Sequence, residues 1–366
     1  IESENWRTGL NAAWDPDLFG AVRAEGASAE AALRASRAQL WAARQNALAT
    51  AIEAYLDITY LREAIRLNLT RIDLLSERAA ATERRYRGGL ASSFELYGVR
   101  AQRRGAEAQL PQLEARLTRA EAALALAMGR YAEHIDAVLA EPFRPRLDLE
   151  PPLADAPVAL LVQRPDVLAA AEQLEAARLE VGAARAALFP QLRFSAVLGT
   201  QGPDAEGALD PENWFAQLTG ALTQPIFQGG ALRAQVRGAE ARYAAAAAEF
   251  ARTALSAYGD AESAFGAFEE SRQRYVFLAD QTQEARATVR LQAERYAAGL
   301  SDYAAYLDAR GDAVGAELSL AQAARDLAGA RLAVYRALGG GWARSPEAPA
   351  DAASLIERLL GPGDAA

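Results

Sequence analysis

The chain has 366 residues, of which 51% are hydrophobic but only 8% aromatic, and a formal net charge of −9 in which all 39 basic residues are arginine. That acidic balance, without a basic patch carrying interleaved aromatics, argues against a nucleic-acid partner. The absence of cysteine excludes disulfides, thiolate metal clusters, a thiol nucleophile and cysteine lipidation within this stretch. No run of 18 apolar residues exists, which excludes a membrane-spanning helix but leaves open a membrane barrel, whose strands need only about ten alternating residues.

Taken in chain order, residues 5–14 place Trp6, Thr8, Leu10, Ala12 and Trp14 on one face of a strand with aromatic ends. A long helix is expected from Arg23 to Arg87, with a stripe at Leu48, Ile52, Tyr55, Ile58, Leu61, Ile65, Leu69, Ile72 and Leu75. It breaks at Gly88-Gly89-Leu90. Ser92 with Glu95 forms a capping-box pattern, and the next helix is expected to reach about Tyr131 despite Pro111. Residues 141–163 are proline-rich and read as a linker, with the sole histidine, His134, just before it as a structural or solvated residue.

A helix then starts at Arg164-Pro165-Asp166 and ends at Phe189-Pro190. An alternating strand is expected over Gln191–Thr200, a polar loop over 201–212, and a second strand containing Trp214. From Ala231 to Ala297 the composition predicts another helix of roughly 100 Å at 1.5 Å per residue. Gly299 is expected to take the left-handed conformation at its end, Asp302 to cap the returning helix, and that helix to close near Leu338. Residues 343–366 read as a mobile tail.

The two halves repeat. Arg85-Tyr86-Arg87-Gly88-Gly89-Leu90 matches Arg295-Tyr296-Ala297-Ala298-Gly299-Leu300 at an offset of 299 − 89 = 210, and the arm from Arg23 to Gly89 is as long as the arm from Arg233 to Gly299. The duplication predicts a first repeat at 1–140, the linker, and a second repeat at 164–342.

These elements, with the blocks Trp14-Asp15-Pro16-Asp17-Leu18-Phe19-Gly20, Leu161-Val162-Gln163-Arg164-Pro165-Asp166-Val167, Gly182-Ala183-Ala184-Arg185-Ala186-Ala187-Leu188-Phe189-Pro190, Pro225-Ile226-Phe227 and Ala337-Leu338-Gly339-Gly340-Gly341-Trp342, resemble the TolC-like outer-membrane efflux proteins, in the lipoprotein branch that serves resistance-nodulation-division drug pumps. The resemblance implies a mainly α fold with a small β part. Long helical hairpins would build a periplasmic α-barrel, and strands from three chains a 12-stranded transmembrane β-barrel. The first repeat begins at the strand containing Trp6, so its own first helix and strand, and the family's lipidated cysteine, are expected outside this sequence, which starts at Ile1.

The implied function is a passive exit duct in the outer membrane and periplasm of a Gram-negative cell, working as a homotrimer with a periplasmic adaptor and an inner-membrane transporter. A protein-secretion or metal-efflux duct of the same fold is the alternative, and a soluble coiled-coil scaffold is the alternative of another class. No catalytic, metal or cofactor site is expected. Trp6, Trp14 and Trp214 are expected at the interface with outer-membrane lipids. Gly88, Gly89, Leu90, Gly299, Leu300 and Ser301 are expected at adaptor-docking tips. Asp308, with Ala304, Gly311 and Asp312 on the same small or acidic face, is expected at a constriction, while Leu300, Tyr303, Leu307, Val314 and Leu318 supply a separate apolar packing face.

Overall fold

A computed structural model of the chain describes residues 6–131, 149–150, 163–202 and 210–340. His134, Trp342, the tail and almost all of the proline-rich linker lie outside them. The elements are β1 (Trp6–Trp14), α1 (Ala21–Arg87), α2 (Ser93–Ala127), α3 (Pro165–Ala186), β2 (Gln191–Gly202), a 3-10 turn (Pro211–Asn213), β3 (Trp214–Thr223), α4 (Ala231–Ala297) and α5 (Tyr303–Ala337). α1 and α4 each have 67 residues, α2 and α5 each 35, and every boundary repeats at 231 − 21 = 303 − 93 = 210.

The helix ends follow local rules. Asp302 accepts the Ala305 N–H at 2.8 Å and Ser92 accepts the Glu95 N–H at 3.1 Å, while the Glu95 carboxylate lies 3.7 Å from Arg85. At the tip of each hairpin the chain closes by paired bonds, Leu90 N–H to Arg85 C=O with Gly89 N–H to Tyr86 C=O, and Leu300 N–H to Arg295 C=O with Gly299 N–H to Tyr296 C=O. Gly89 (φ 73°) and Gly299 (φ 70°) supply the left-handed residue that this closure requires. α2 stops at Ala127 rather than near Tyr131, because Gly129 makes the same closure there (φ 65°). α3 ends at Ala186, three residues before Phe189, and β2 runs on to Gly202. Pro111 lies inside α2 without ending it, at the cost of the N–H that would have bonded the Glu107 carbonyl.

Two compact units emerge, and each takes part of both repeats. Among the described residues, 6–39, 165–202 and 210–255 form the first, and 40–131, 149–150, 163–164 and 256–340 the second. In the first, α3 lies along the early turns of α1, where Ala31 and Ala35 of α1 and Ala171 of α3 are buried. Arg34 donates to Glu172 at 2.9 Å and the Ser28 hydroxyl to the Ala176 carbonyl at 3.1 Å. Arg185–Glu240 (2.6 Å) and Arg242–Glu180 (3.3 Å) tie α3 to α4.

In the second unit α1 packs on α2 through Ala54, Ile58, Leu124 and Ala125, and α4 on α5 through Ala261, Ala264, Phe268, Leu327 and Val334. α1 packs on α5 through Leu67, Leu74, Leu307 and Val314, with Tyr303 and Leu318 alongside, which is the apolar face expected for α5 apart from Leu300. The expected stripe on α1 is only partly the buried one. Leu48 and Leu69 are exposed, and Ala49, Ala54, Leu56, Ala64, Leu67 and Leu74 are buried with Ile58 and Leu61, because alanine lets neighbouring backbones approach where larger side chains would hold them apart. In both hairpins a polar side chain of the long helix bonds an equivalent carbonyl of the short one: Asn68 to Ala106 (3.0 Å) and Thr282 to Ala316 (3.3 Å), with 316 − 106 = 210.

The glycines after α5 serve packing. Gly339 (φ 88°) lies against the backbone of Gln163 and Arg164, where a Cβ would come within 3.2 Å, and its carbonyl accepts from buried Gln45 at 2.8 Å. Gly98 is a helix-interior glycine facing open space. Gly339→Ala should therefore destabilise the fold by about 1–3 kcal/mol, and Gly98→Ala should stabilise it by about 0.5–1 kcal/mol. Thermal unfolding in detergent should show melting-temperature shifts of opposite sign.

Candidate functional site

The strands form one antiparallel sheet in the order β1-β2-β3. Its register pairs Trp6 with Gly202, Leu10 with Leu198, Trp14 with Phe194, and on β2's other side Leu192 with Leu222, Phe194 with Gly220 and Thr200 with Trp214. Paired residues share a face, so one face carries Trp6, Leu10, Trp14, Phe194, Leu198, Trp214, Leu218 and Leu222 with only two threonines as polar members. The opposite face carries Arg7, Asn11, Gln191, Arg193, Ser195, Gln201, Gln217 and Thr219.

The apolar face is open: Leu10 and Leu218 are each 77% exposed. Its aromatics fall at two levels, Trp6 and Trp214 at one end, and Trp14 stacked on Phe194 (5.8 Å between centroids) at the other. Eight residues of strand separate Trp6 from Trp14, about 27 Å, which a barrel tilt of roughly 40° reduces to about 20 Å, near the height of a hydrocarbon band. Phe194 is an addition to the expected aromatics, since it joins this set only by pairing with Trp14, which lies in the other half of the chain.

At the tips Gly88, Gly89 and Leu90 in one turn and Ala298, Gly299 and Leu300 in the other leave both leucines outward, 74% and 71% exposed. Leu300 is thus no part of the apolar packing face. Ser301 is half-buried and bonds Gln292 at 3.2 Å. On α2, Phe94 (87% exposed) and Tyr97 continue the apolar surface from Leu90 at spacings of four and three, a stripe that escaped the sequence reading.

Of the expected constriction residues, Asp308, Gly311 and Asp312 come together, with Gly315 and Ser319, along a groove of about 700 Å³ whose other lining includes Arg71, Arg78, Gln102 and Gln281. Ala304 is half-buried and does not line it. Asp308 is not a bare charge: Arg78 of α1 stands 2.5 Å from its carboxylate. Asp312 is exposed and has no ion pair among the described residues. Beside Arg78, Glu77 accepts the Tyr303 hydroxyl at 3.1 Å and lies 3.8 Å from Arg310. Among the described residues no His, Asp or Glu cluster is placed to hold a metal ion, and no helix is long and apolar enough to cross a membrane.

Comparison with known proteins matches residues 1–130 and 156–340 to the outer membrane efflux protein family. The chain belongs to this family. OprJ, an outer membrane protein of Pseudomonas aeruginosa, is 30% identical over 334 residues, covering 90% of this chain and 68% of that one. OpmQ of Pseudomonas putida, a pyoverdine export outer membrane protein, is 28% identical over 343 residues, covering 93% and 72%. The outer-membrane channel OprN superposes with a TM-score of 0.80 at 29% identity, covering 94% of this chain and 77% of that one. This efflux protein thus has the TolC-like channel fold and resides in the outer membrane, extending into the periplasm, which sets aside the soluble-scaffold alternative.

Asp308 of the efflux protein has its carboxyl pushed above the usual carboxylate range, chiefly by burial, with Arg78 opposing and Asp312 and Asp302 adding to the rise. Its charged form is therefore a cost to the fold at neutral pH, and the cost disappears as pH falls through the raised value. Glu269 is the opposite case: hydrogen bonds from Arg272 and Gln273 hold it down to about 2, so its contribution is present above the ordinary glutamate range and lost as pH falls toward that value. Since Asp308 and Arg78 are only partly buried and line an open groove, Asp308→Asn should change stability by less than about 1 kcal/mol. It should also remove one proton-uptake step from above the ordinary aspartate range in a titration of the folded protein. A loss of several kcal/mol in thermal unfolding would mean that the pair with Arg78 holds the fold.

Proposed function

We propose that this chain forms, as a homotrimer, the exit duct of a tripartite efflux pump, receiving drugs or other small molecules from an inner-membrane transporter through a periplasmic adaptor. The observation that carries the proposal is a sheet with one exposed apolar face, aromatic at both ends, followed through short junctions by helical hairpins of identical dimensions. The sheet leaves the outer edges of β1 and β3 without a ladder among the described residues, and such edges in hydrocarbon cost several kcal/mol for each unsatisfied group. Closure with the first repeat's own first strand, expected outside this sequence, and with strands of other copies removes them, with Trp6, Trp14, Phe194 and Trp214 at the two lipid interfaces and the duplicated halves alternating around the axis.

The tips, Gly88-Gly89-Leu90 and Gly299-Leu300-Ser301, serve as docking points for the adaptor, since exposed leucines at the very ends of both hairpins gain burial only from a partner. Asp308, Gly311 and Asp312 form the constriction. Three carboxylates about 7 Å apart repel by only ~0.6 kcal/mol per pair in a water-like dielectric, and by several times more in a narrow pore. Pairing with Arg78 relieves that repulsion at Asp308 and leaves Asp312 as the more exposed charge.

Crosslinking of the complete protein in mild detergent should saturate at three chains; saturation at one or two would exclude the trimer. Leu300→Glu should reduce adaptor capture and drug resistance at unchanged trimer yield, and Leu90→Glu should act in the same direction. Undiminished resistance in both variants would remove the tips from the docking surface. Asp312→Asn should weaken cation preference in planar bilayers more than Asp308→Asn does.

A further inference from the structure

The polar face of the sheet carries a charge pattern that passive conduction alone does not call for. Its only charged residues are Arg7 on β1 and Arg193 on β2, and neither face of β1, β2 or β3 contains an aspartate or glutamate. Arg7 donates to the Gln201 side-chain carbonyl at 2.7 Å and lies 5.4 Å from the centre of the Phe215 ring, so neutral groups hold it over this face, and it has no ion pair among the described residues. Arg193 is exposed and has no ion pair among the described residues.

Among the described residues no acid forms an ion pair with Arg7 or Arg193. Asp15 accepts the Asp17 N–H, Asp17 caps α1 and pairs with Arg23, and Asp210 accepts the Glu212 N–H in the turn before β3. Arg7 lies opposite Gln201, and Arg193 is 201 − 193 = 8 residues from it along β2, so the two charges occupy two levels about 27 Å apart. The opposite face carries the aromatic and leucine residues suited to lipid, so strand alternation assigns Arg7 and Arg193 to the water-filled side.

We infer that the strand portion of the duct is an anion-favouring exit, in which Arg7 and Arg193 of each chain form two cationic levels, so that anionic cargo is admitted there in preference to cations. The inference rests on the proposed trimeric barrel. Rings of fixed cations in a pore with low-dielectric walls raise the local concentration of anions, and residues facing the lumen set selectivity.

The test is the zero-current potential of the full protein in planar bilayers under a potassium chloride gradient. In the Arg7→Gln/Arg193→Gln double variant the chloride-to-potassium permeability ratio should fall about twofold or more, and in Arg7→Lys/Arg193→Lys it should stay near the wild-type value. An unchanged ratio in the glutamine variant, or an equal fall in the lysine variant, would overturn the inference. Should the glutamine variant not insert, Arg193→Cys in this cysteine-free sequence can be labelled after insertion. A cationic thiol reagent should then raise the ratio and an anionic one lower it, and equal effects would refute the inference. Absence of any conductance from the wild-type protein would instead sink the barrel reading itself.

Discussion

A helix as long as α1 or α4 draws most of its stability from what it packs against, so each must find apolar or polar partners along its whole length. Neither has a single partner long enough, since α2 and α5 have only 35 residues and α3 only 22. The solution is a relay. α1 lies along α3 in its early turns, where Ala31 and Ala35 are buried and Arg34 bonds Glu172, then packs on α2 and α5 through Ile58, Leu67 and Leu74. The two compact units follow from this change of partner, and the alanine-rich composition follows from the close approach that thin, long interfaces demand.

The strands obey a different constraint. β2 satisfies its backbone on both sides, and its alternation gives two faces that could not be exchanged by a one-residue slip without turning arginine and glutamine toward the apolar side. Two tight glycine contacts help to fix this register. A Cβ on Gly199 would lie 2.5 Å from the Thr8 carbonyl, and the Phe194 ring lies over Gly220. The sheet and hairpins are joined by short junctions: Asp17, itself left-handed at φ 46°, accepts the Val22 and Arg23 N–H groups and so starts α1.

Much of this was legible in the residues because it depends on near neighbours. The closures at Gly89 and Gly299, the caps at Ser92 and Asp302, and the alternation of Trp6–Trp14 and Trp214–Thr223 involve side chains a few positions apart. The pairing of β1 with β2 was not legible, and with it Phe194 escaped notice, because no local rule links positions 14 and 194. The Arg78–Asp308 pair, which joins the first repeat to the second, escaped for the same reason. The stripe on α1 misled in part because hydrophobic periodicity favours leucine and isoleucine, whereas the buried line runs as much through Ala49, Ala54 and Ala64.

The two hairpins share their dimensions but not their mechanics. α2 contains Pro111, and the equivalent position of α5, 111 + 210 = 321, is alanine. Only one carbonyl, that of Glu107, is deprived of its helical donor, but it lies one residue beyond Ala106, where Asn68 fastens α2 to α1. The first hairpin therefore has a compliant joint beside a fixed point, while the second has the fixed point without the joint. A load applied equally at the two tips would be absorbed by bending in α2 and transmitted with little loss along α5, giving a structure of matched length an unmatched elastic response.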